Sequence, residues 1–504
     1  MRKVVLIIIC LSIVVFFPGL SLAKLSIGKI QLQGNIFFKS DRLGNIIKSR
    51  PGQPLNNNLL QEDIDNMIRL YEDNGFPYCR IVPEDFTTND KDEVSFKLNI
   101  DEGPRVKIQA IYFDGLKYTK FKTLLREIRI IKGDYFSQEK LDVSVARLDK
   151  LPYIRQVRNT KLESDIEADL AFLTFDISEN KPNSFSGILG YVPSTKHKDG
   201  YFAGNVSLTL DNILGSGRRT KVNWSKKDPY SSELQFEYRE PYFINLPLSL
   251  TMKVKQFDYD STYSQFAMDL GVEFNMVNKI DWGIVLGWER IAPDVAGKNY
   301  LANSRRYTAG INAGLDLRDS FRNPRKGIYY NTEVIYSRKS NYATDKFAPI
   351  KATAYQTRYT LDLENFVPTF PYQCWAWAVH LKTIRSDEEA VPFVDQFKMG
   401  GLNSLRGYKE DQFAGSSIVW SNLEYRYLIS YDSRIFGFVD YGYFYRLSQD
   451  LPTEIRRKVS GDGWSYGVGL SVGSRVGVFG IDYAIGEEDK ITNGKVHFGI
   501  TNRF

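Results

Sequence analysis

The feature that most constrains this chain is a long series of alternating segments that fills residues 183–504. In "KIDWGIVLGWERI" (Lys279–Ile291) bulky apolar residues occupy every second position, and small or polar residues stand between many of them. "QCWAWAVHLK" (Gln373–Lys382) repeats this arrangement with two tryptophans on one face. Because successive side chains of a strand point to opposite faces, each segment predicts a β-strand with one bulky apolar face.

Strand length separates a membrane barrel from a soluble β-sandwich. Many of the alternating segments exceed ten residues, and a tilted strand of about 9 to 11 residues crosses a bilayer. Closure of the sheet removes the unpaired edges that lipid would penalise. Sixteen strands are predicted, beginning near Ser184, Tyr201, Arg218, Ser232, Leu246, Thr262, Lys279, Arg305, Gly327, Lys351, Gln373, Ser416, Arg434, Trp464, Val476 and Lys495. The even count and the aromatic content of 14% favour an antiparallel transmembrane β-barrel over residues 183–504.

The N-terminal residues predict export from the cytoplasm. The stretch "MRKVVLIIICLSIVVFFPGLSLA" has a basic start, an apolar run and a small-residue ending, so residues 1–23 are interpreted as a secretory signal peptide. An uncleaved anchor helix is the alternative, although a Pro-Gly pair interrupts the apolar run. Cys10 would leave with the signal, and Cys79 and Cys374 are too far apart in the sequence to predict a disulfide framework or a zinc site.

Two segments between the signal and the strands repeat one pattern. "IGKIQLQGNIFFKSDRL" aligns with "VKIQAIYFDGLKYTKFKTL", and their turn glycines, Gly34 and Gly115, are 81 residues apart. Each copy continues into a stretch with helical periodicity and closes with paired strands. The pattern predicts two α+β repeats of order β-α-α-β-β, repeat 1 over residues 24–103 and repeat 2 over residues 104–182. Exposed strand edges would offer main-chain hydrogen bonds to an incoming extended chain, and rigid spacers are the alternative.

A long glycine-rich connection separates the eleventh and twelfth predicted strands. Residues 386–415 include "MGGLNSLRGYKEDQFAG" and are long enough to fold back into the lumen, where Arg406 would need carboxylate partners. In "SIVWSNLEYRYL" Glu424 and Arg426 lie on the face opposite the bulky residues, and in "RIFGFVDYGYFY" Asp440 faces inward. We therefore predict an ion-paired anchor between the loop and the inner wall.

With these motifs the chain resembles the BamA/TamA family of outer-membrane assembly proteins. The repeats resemble POTRA domains, and "LRGY" is similar to the arginine-glycine-aromatic loop motif of the family. "LDLRDSFRNPRKG", "LDNILGSGRR" and "REPYF" also resemble family patterns. The resemblance implies three groups of site residues, which are the loop anchor Leu405, Arg406, Gly407 and Tyr408, the acidic partners Glu424 and Asp440, and the barrel motif Asp316, Arg318, Asp319, Pro324 and Gly327.

The resemblance implies an outer-membrane protein with periplasmic repeats that inserts or translocates client polypeptides. The repeats would capture clients by strand addition, and the seam between the first and last strands would open to template their entry into the membrane. The implied partners are unfolded outer-membrane proteins, outer-membrane lipid, and accessory lipoproteins or periplasmic chaperones. The class of client stays open among barrels, lipoproteins, secreted proteins and lipids. The net charge of +6, from 66 basic and 60 acidic residues, is too small to indicate nucleic-acid binding.

Two other functions remain as alternatives. A two-partner secretion transporter, which exports one specific protein, also carries two such repeats. Members of that group usually place a plug helix and a linker before the repeats, whereas Leu25 begins the first predicted strand almost directly after the predicted signal. A passive pore or structural barrel is the other alternative, and steady conductance without client binding would favour it.

No catalytic, metal or cofactor site is predicted. "GLSVG" (Gly469–Gly473) matches the serine-hydrolase pattern, yet it lies inside an alternating strand rather than at a strand-to-helix turn. The three histidines are scattered along the chain, and no phosphate-binding motif occurs in it. We therefore expect no enzymatic activity.

Overall fold

The computed structural model describes residues 25–165, 170–180, 183–193, 200–226, 228–274, 280–320, 323–347, 349, 351–388, 390–430, 432–450, 455–474 and 477–501. The predicted signal peptide and the predicted boundary at Pro182 lie outside these ranges. The described residues form two compact units, one made of those within 25–117 and 124–179 and one made of those within 118–123 and 180–501. Within the described ranges, no helix is long and apolar enough to cross a bilayer.

Both repeats have the predicted element order. Repeat 1 contains β1 (Ser26–Gln33), α1 (Ser40–Ile46), α2 (Asn57–Glu72), β2 (Arg80–Thr88) and β3 (Glu93–Asp101). Repeat 2 contains β4 (Lys107–Asp114), α3 (Phe121–Leu125), α4 (Gln138–Asp149), β5 (Ile154–Asp165) and β6 (Leu170–Glu179). In each sheet the last strand lies in the centre, parallel to the first strand and antiparallel to the second. The prediction of two β-α-α-β-β units is therefore confirmed.

Each repeat has its own apolar core. Every second residue of β3 is buried, including Phe96 and Leu98, and this face packs against the helix α2 through Met67 and Tyr71. The alternating face of β6 forms the equivalent core in repeat 2. Burying one large apolar side chain contributes about 1.5 to 3 kcal/mol. The half-buried alternation of the two central strands thus supplies much of the stability of each repeat.

Both repeats have the same two features where the chain leaves the first strand, a glycine with a positive φ and a glutamate that accepts a hydrogen bond from the loop. Gly34 and Gly115 have φ angles of +88° and +84°, and a Cβ on either glycine would collide with a backbone carbonyl oxygen of the central strand. Only glycine fits such a position without strain. Glu102 and Glu179 each accept a backbone N–H of the loop after the first strand, both at 2.8 Å. The sequence repeat is therefore also a repeat of turn geometry.

The second unit is built on a 16-stranded antiparallel sheet in which strands pair with their neighbours in chain order. Its strands are β7 (Ser184–Val192), β8 (Tyr201–Ile213), β9 (Arg218–Lys226), β10 (Ser232–Glu240), β11 (Leu248–Tyr259), β12 (Tyr263–Phe274), β13 (Ile280–Pro293), β14 (Asn303–Asp316), β15 (Gly327–Tyr342), β16 (Thr353–Pro368), β17 (Gln373–Ser386), β20 (Ser417–Leu428), β21 (Arg434–Asp450), β22 (Ile455–Ser474), β23 (Gly477–Gly486) and β24 (Lys495–Thr501). A separate hairpin is formed by β18 (Phe397–Met399) and β19 (Phe413–Gly415). The order of paired strands ends at β7 and β24, and the predicted count of sixteen is confirmed.

One inserted loop shows that this sheet coils around a lumen. The ammonium group of Lys398 in the loop lies 4.4 Å from the ring centre of Tyr259 on β11. The backbone N–H of Gly407 in the same loop donates to Nε2 of His497 on β24 at 3.0 Å. Strands far apart in the order therefore face a shared interior, as in a barrel.

The outward faces of the barrel are apolar and the inward faces are small or polar. On β13 the bulky residues of the alternating pattern are exposed, as Ile280, Trp282, Ile284 and Leu286 show. A Cβ on Gly287, which points to the other face, would lie 2.3 Å from Oδ1 of Asp269. The glycine therefore leaves room for a polar side chain of the lumen, while the bulky face suits lipid.

One strand boundary differs clearly from the prediction. β22 begins at Ile455, nine residues before the predicted start near Trp464, and its first part pairs with the end of β21 up to Asp450. The prediction followed bulky apolar residues, whereas "IRRKVSGDG" is mostly polar. Backbone hydrogen bonds to β21, rather than an apolar face, hold this stretch in the sheet.

Candidate loop-anchoring site

The connection between β17 and β20 lies inside the barrel. Its hairpin, β18 with β19, carries Met399, which is buried together with Leu405 against Ile418 and Trp420 of β20. Glycines 400, 401 and 407 have positive φ angles, so the chain can turn tightly here. An apolar contact and a tight backbone path therefore place the next residue of the motif, Arg406, against the inner wall.

Arg406 is ion-paired with both acidic residues that the strand alternation places on the inner face. Its Nε and Nη2 donate to the two carboxylate oxygens of Asp440 at 2.8 and 2.7 Å, and its Nη1 donates to Oε1 of Glu424 at 2.8 Å. The backbone N–H of Arg406 also donates to Asp440, at 3.2 Å. All three side chains are at least 97% buried. Bidentate pairing of this kind fixes both position and orientation of a guanidinium.

The site contains further charged residues that were not assigned to it from the sequence. Arg426 donates from Nε to Oε2 of Glu424 at 2.7 Å, and a carboxylate oxygen of Asp482 lies 3.7 Å from Nη1 of Arg406. Arg434 is buried and interacts electrostatically with Glu424. The cluster thus holds three guanidinium groups and three carboxylates. Alternation along "GVFGIDYAIG" could have found Asp482, because it lies opposite the bulky Ile481 and Tyr483.

The other motif residues contact the last strands of the barrel. The ring of Tyr408 reaches β22, where its hydroxyl donates to the carbonyl oxygen of Trp464 at 3.1 Å. Gly407 has a φ of +82° and approaches β23 so closely that a Cβ would lie 3.0 Å from the backbone nitrogen of Gly486. Its own N–H donates to His497 on β24. The motif therefore joins β20 and β21 to the strand at one end of the sheet order.

The predicted barrel motif forms a separate ion-paired group. Nη2 of Arg318 donates to Oδ2 of Asp316 at 2.8 Å, and its Nη1 donates to Oε2 of Glu364 on β16 at 3.1 Å. The guanidinium carbon lies 4.5 Å from the ring centre of Tyr329. This group sits on the connection from β14 to β15, and Glu364 is the partner that sequence reasoning had not named.

The remaining residues of that motif shape its turn. Oδ1 of Asp319 accepts two backbone N–H groups later in the same connection, at 3.0 and 3.1 Å. Gly327 has a φ of +115°, and a Cβ there would lie 2.2 Å from the carbonyl oxygen of Leu317. The carbonyl oxygen of Pro324 is 3.8 Å from Sγ of Cys374 on β17. These contacts fix a compact turn and its fit against the neighbouring strand.

The arrangement can position a loop through ion pairs and hydrogen bonds. Ser471 lies within β22 between Arg434 of β21 and Gly480 of β23, so it does not occupy a strand-to-helix turn. Across the residues that the structure describes, no group of His, Cys, Asp and Glu has the geometry of a metal site.

Sequence comparisons find family matches to both the repeats and the barrel. The Omp85 superfamily domain matches residues 212–504, and the surface antigen variable number repeat matches residues 25–103 and 106–180. Outer membrane protein assembly factor BamA of Nitratidesulfovibrio vulgaris is 23% identical over 97% of this chain and 62% of that protein. BamA of Buchnera aphidicola is 25% identical over 52% of this chain and 43% of that protein. The chain therefore spans less than two thirds of either relative.

Two solved structures match the fold over most of the chain. BamA from Haemophilus ducreyi lacking POTRA domains 1–3 has a TM-score of 0.53 at 18% identity, covering 94% of this chain and 98% of that one. CdiB from Escherichia coli has a TM-score of 0.55 at 14% identity, covering 96% of this chain and 92% of that one. These likenesses concern the fold, and they confirm the predicted succession of α+β repeats and a β-barrel.

Proposed function

Since the chain belongs to the Omp85 superfamily, we propose that it inserts client polypeptides into the outer membrane. The superfamily match confirms the predicted location, an outer-membrane barrel with periplasmic repeats, and the prediction that the protein is not an enzyme. The proposed clients are unfolded outer-membrane proteins. Outer-membrane lipid is the medium they enter, and accessory lipoproteins or periplasmic chaperones would deliver them.

The observation that carries the proposal is the contact between the anchored loop and the end strand of the sheet. Arg406 is fixed to β20 and β21, and the next residue, Gly407, is hydrogen-bonded to His497 on β24. β24 and β7 are the two ends of the strand order, so the seam lies between them. A client strand that pairs at this seam satisfies backbone groups that lipid would leave costly and unpaired. Folding of the client can therefore drive its own insertion.

The sheets of the two repeats have edges at which a client polypeptide can be captured. The outer edge of β1 is occupied by the chain near Gln53, whose carbonyl oxygen accepts the N–H of Ile27 at 2.8 Å. In repeat 2 the N–H of Ile108 on β4 donates in the same way to Asp134, at 2.9 Å. β2 and β5 form the opposite edges. An extended client can add to the edge formed by β2 or β5 through its main chain, which places little demand on the client sequence.

The test is replacement of the native gene by Arg406→Ala, followed by quantitative proteomics of the outer membrane and the culture medium. We expect several unrelated barrels to decline while the variant itself stays folded and abundant, because the loop loses its bidentate anchor and the barrel wall keeps its strand pairing. Arg385→Ala is the matched control, since that guanidinium is exposed on the strand just before the loop. It should leave the outer-membrane proteome unchanged.

Two other outcomes would replace the proposal. Loss of one secreted protein with all barrels intact would identify a two-partner secretion transporter. An unchanged proteome, together with steady conductance of the purified protein in planar bilayers, would identify a passive pore or structural barrel.

A further inference from the structure

A second buried charge holds the inserted loop, and it lies outside the motif around Arg406. Asp395 ends a short 3-10 turn, Phe393–Asp395, eleven residues before Arg406. Its carboxylate is completely buried. A carboxylate withdrawn from water in this way must be paired, because the desolvation of an isolated charge is very costly.

The wall opposite Asp395 provides the pairing from three adjacent strands. Arg306 of β14 donates from Nη2 to Oδ1, and Lys339 of β15 donates from Nζ to Oδ2 at 2.6 Å. Nε2 of Gln356 on β16 donates to the same Oδ2 at 3.2 Å, and Nη2 of Arg358 lies 3.8 Å from Oδ1. Arg306 and Lys339 are themselves almost completely buried. Several wall donors thus converge on one loop carboxylate.

This arrangement differs from the Arg406 site in the sign of the loop charge and in the strands that it contacts. At Asp395 the loop contributes the anion and the wall contributes the cations, whereas at Arg406 the loop contributes the cation. The first contact involves β14 to β16 and the second involves β20 and β21. Eleven residues span at most about 40 Å when fully extended, so the loop can connect these two groups of strands. Because Asp395 and Arg406 carry opposite charges, neither residue can bind the partners of the other.

We propose that Asp395 is a second anchor, a positioning residue that ties the first half of the loop to β14–β16 while Arg406 ties the second half to β20 and β21. The loop is then a brace across the lumen. The functional consequence rests on the function proposed above: a loop held at both ends keeps Gly407 at β24 while the seam admits a client. The anchor itself can be measured without any client.

A different role for Asp395 would be to neutralise Arg306 and Lys339 within the wall. Loss of the carboxylate would then disturb β14 and β15 as much as the loop. If Asp395 is an anchor, its loss frees the loop while β14 keeps its backbone pairing to β13 and β15. Hydrogen exchange, resolved by segment, separates these two roles.

The experiment compares hydrogen exchange by mass spectrometry in the full-length protein, folded in phosphatidylcholine vesicles. For Asp395→Asn we expect exchange about tenfold faster in residues 390–398 and little change in residues 402–412, because only one tie is cut. Arg406→Ala should give the reverse pattern. Asp395→Glu should recover part of the protection, because it keeps the charge. Asp411→Asn is the control, since Asp411 is exposed in the same loop and asparagine also tolerates its positive φ.

Unchanged exchange in residues 390–398 of folded Asp395→Asn would overturn the proposal, and so would an equal increase in the β14 peptides. If that variant fails to fold, Lys339→Gln decides by the same criterion, since it removes one cationic partner and keeps the carboxylate. Client insertion is measured in parallel. If exchange changes as expected but the unmodified protein inserts no client, the anchor stands and the proposed function fails. If both Asp395→Asn and Arg406→Ala insert clients normally, the proposed function stands, and the link drawn between the held loop and insertion is wrong.

Discussion

The repeats and the barrel have opposite kinds of interior. Repeat 1 encloses an apolar core in which Tyr71, Phe96 and Leu98 are at most 2% exposed. The barrel encloses the ion pairs of Arg406, and its bulky apolar residues face outward. The difference follows from the surroundings of each region. Water drives apolar side chains inward in the repeats, whereas lipid accepts them on the outside of the barrel and leaves the interior to polar groups.

The chain carries a separate natural reporter for each region. Cys79 is buried in the core of repeat 1, and burial raises the pKa of its thiol to about 12. At neutral pH the reactive thiolate is therefore scarce, and alkylation requires local opening. All seven tryptophans lie between Trp224 and Trp464, within the barrel strands. Cysteine alkylation, resolved by peptide, thus follows repeat 1, and tryptophan fluorescence follows the barrel.

The largest expected effect comes from emptying the core of repeat 1. Phe96→Ala removes a buried ring and should cost about 3 to 5 kcal/mol of stability. Alkylation of Cys79 should then become about a hundredfold faster or more, with barrel fluorescence unchanged. Phe86→Ala is the control, because Phe86 stacks on Phe96 but is 55% exposed. Equal alkylation rates in the two variants would contradict the view that an apolar core holds the repeat together.

The fold of both regions could be predicted because its signals are periodic and local. Alternation of bulky and small residues gave the strands of the barrel, and the same rule placed Glu424 and Asp440 on the inner face. Glycines at equivalent places, Gly34 and Gly115, marked the repeat because a positive φ leaves little choice of residue. In these cases a short stretch of sequence carries the main physical reason, whereas the polar start of β22 was missed because pairing to β21 holds it.

The convergence of charges on the loop could not be predicted in the same way. Asp395 lies in a segment without periodicity, and its partners come from three different strands, β14 to β16. Alternation can tell that Arg306 or Lys339 faces inward, but it cannot tell how far along the lumen each one lies or which loop residue meets it. Such contacts depend on strand stagger and on the path of the loop, and these follow from long-range packing.

A smaller effect is expected from weakening the polar interior of the barrel. Asp440→Asn removes the charge that Arg406 contacts through two side-chain hydrogen bonds. Hydrogen bonds to charged groups contribute about 1.5 to 3 kcal/mol, and Glu424 still pairs with Arg406, so the cost should lie in this range. Urea unfolding followed by tryptophan fluorescence measures it, while Cys79 alkylation should not change. Asp462→Asn, at an exposed position of β22, is the control. Equal stability of the two variants would mean that buried ion pairs do not stabilise the barrel.

The smallest expected effects come from one kind of substitution, glycine to alanine, made once in each region. Gly44 lies in the helix α1 with no atom within 4 Å of a Cβ added there, so Gly44→Ala should stabilise repeat 1 by about 0.5 to 1 kcal/mol. Alkylation of Cys79 should slow about two- to fivefold. The same change at Gly287 should destabilise the barrel in urea, because a Cβ there would lie 2.3 Å from side-chain oxygens of Asp269 and Thr308. If both substitutions stabilised, the lumen would have spare room, and the tight polar interior inferred for the barrel would be wrong.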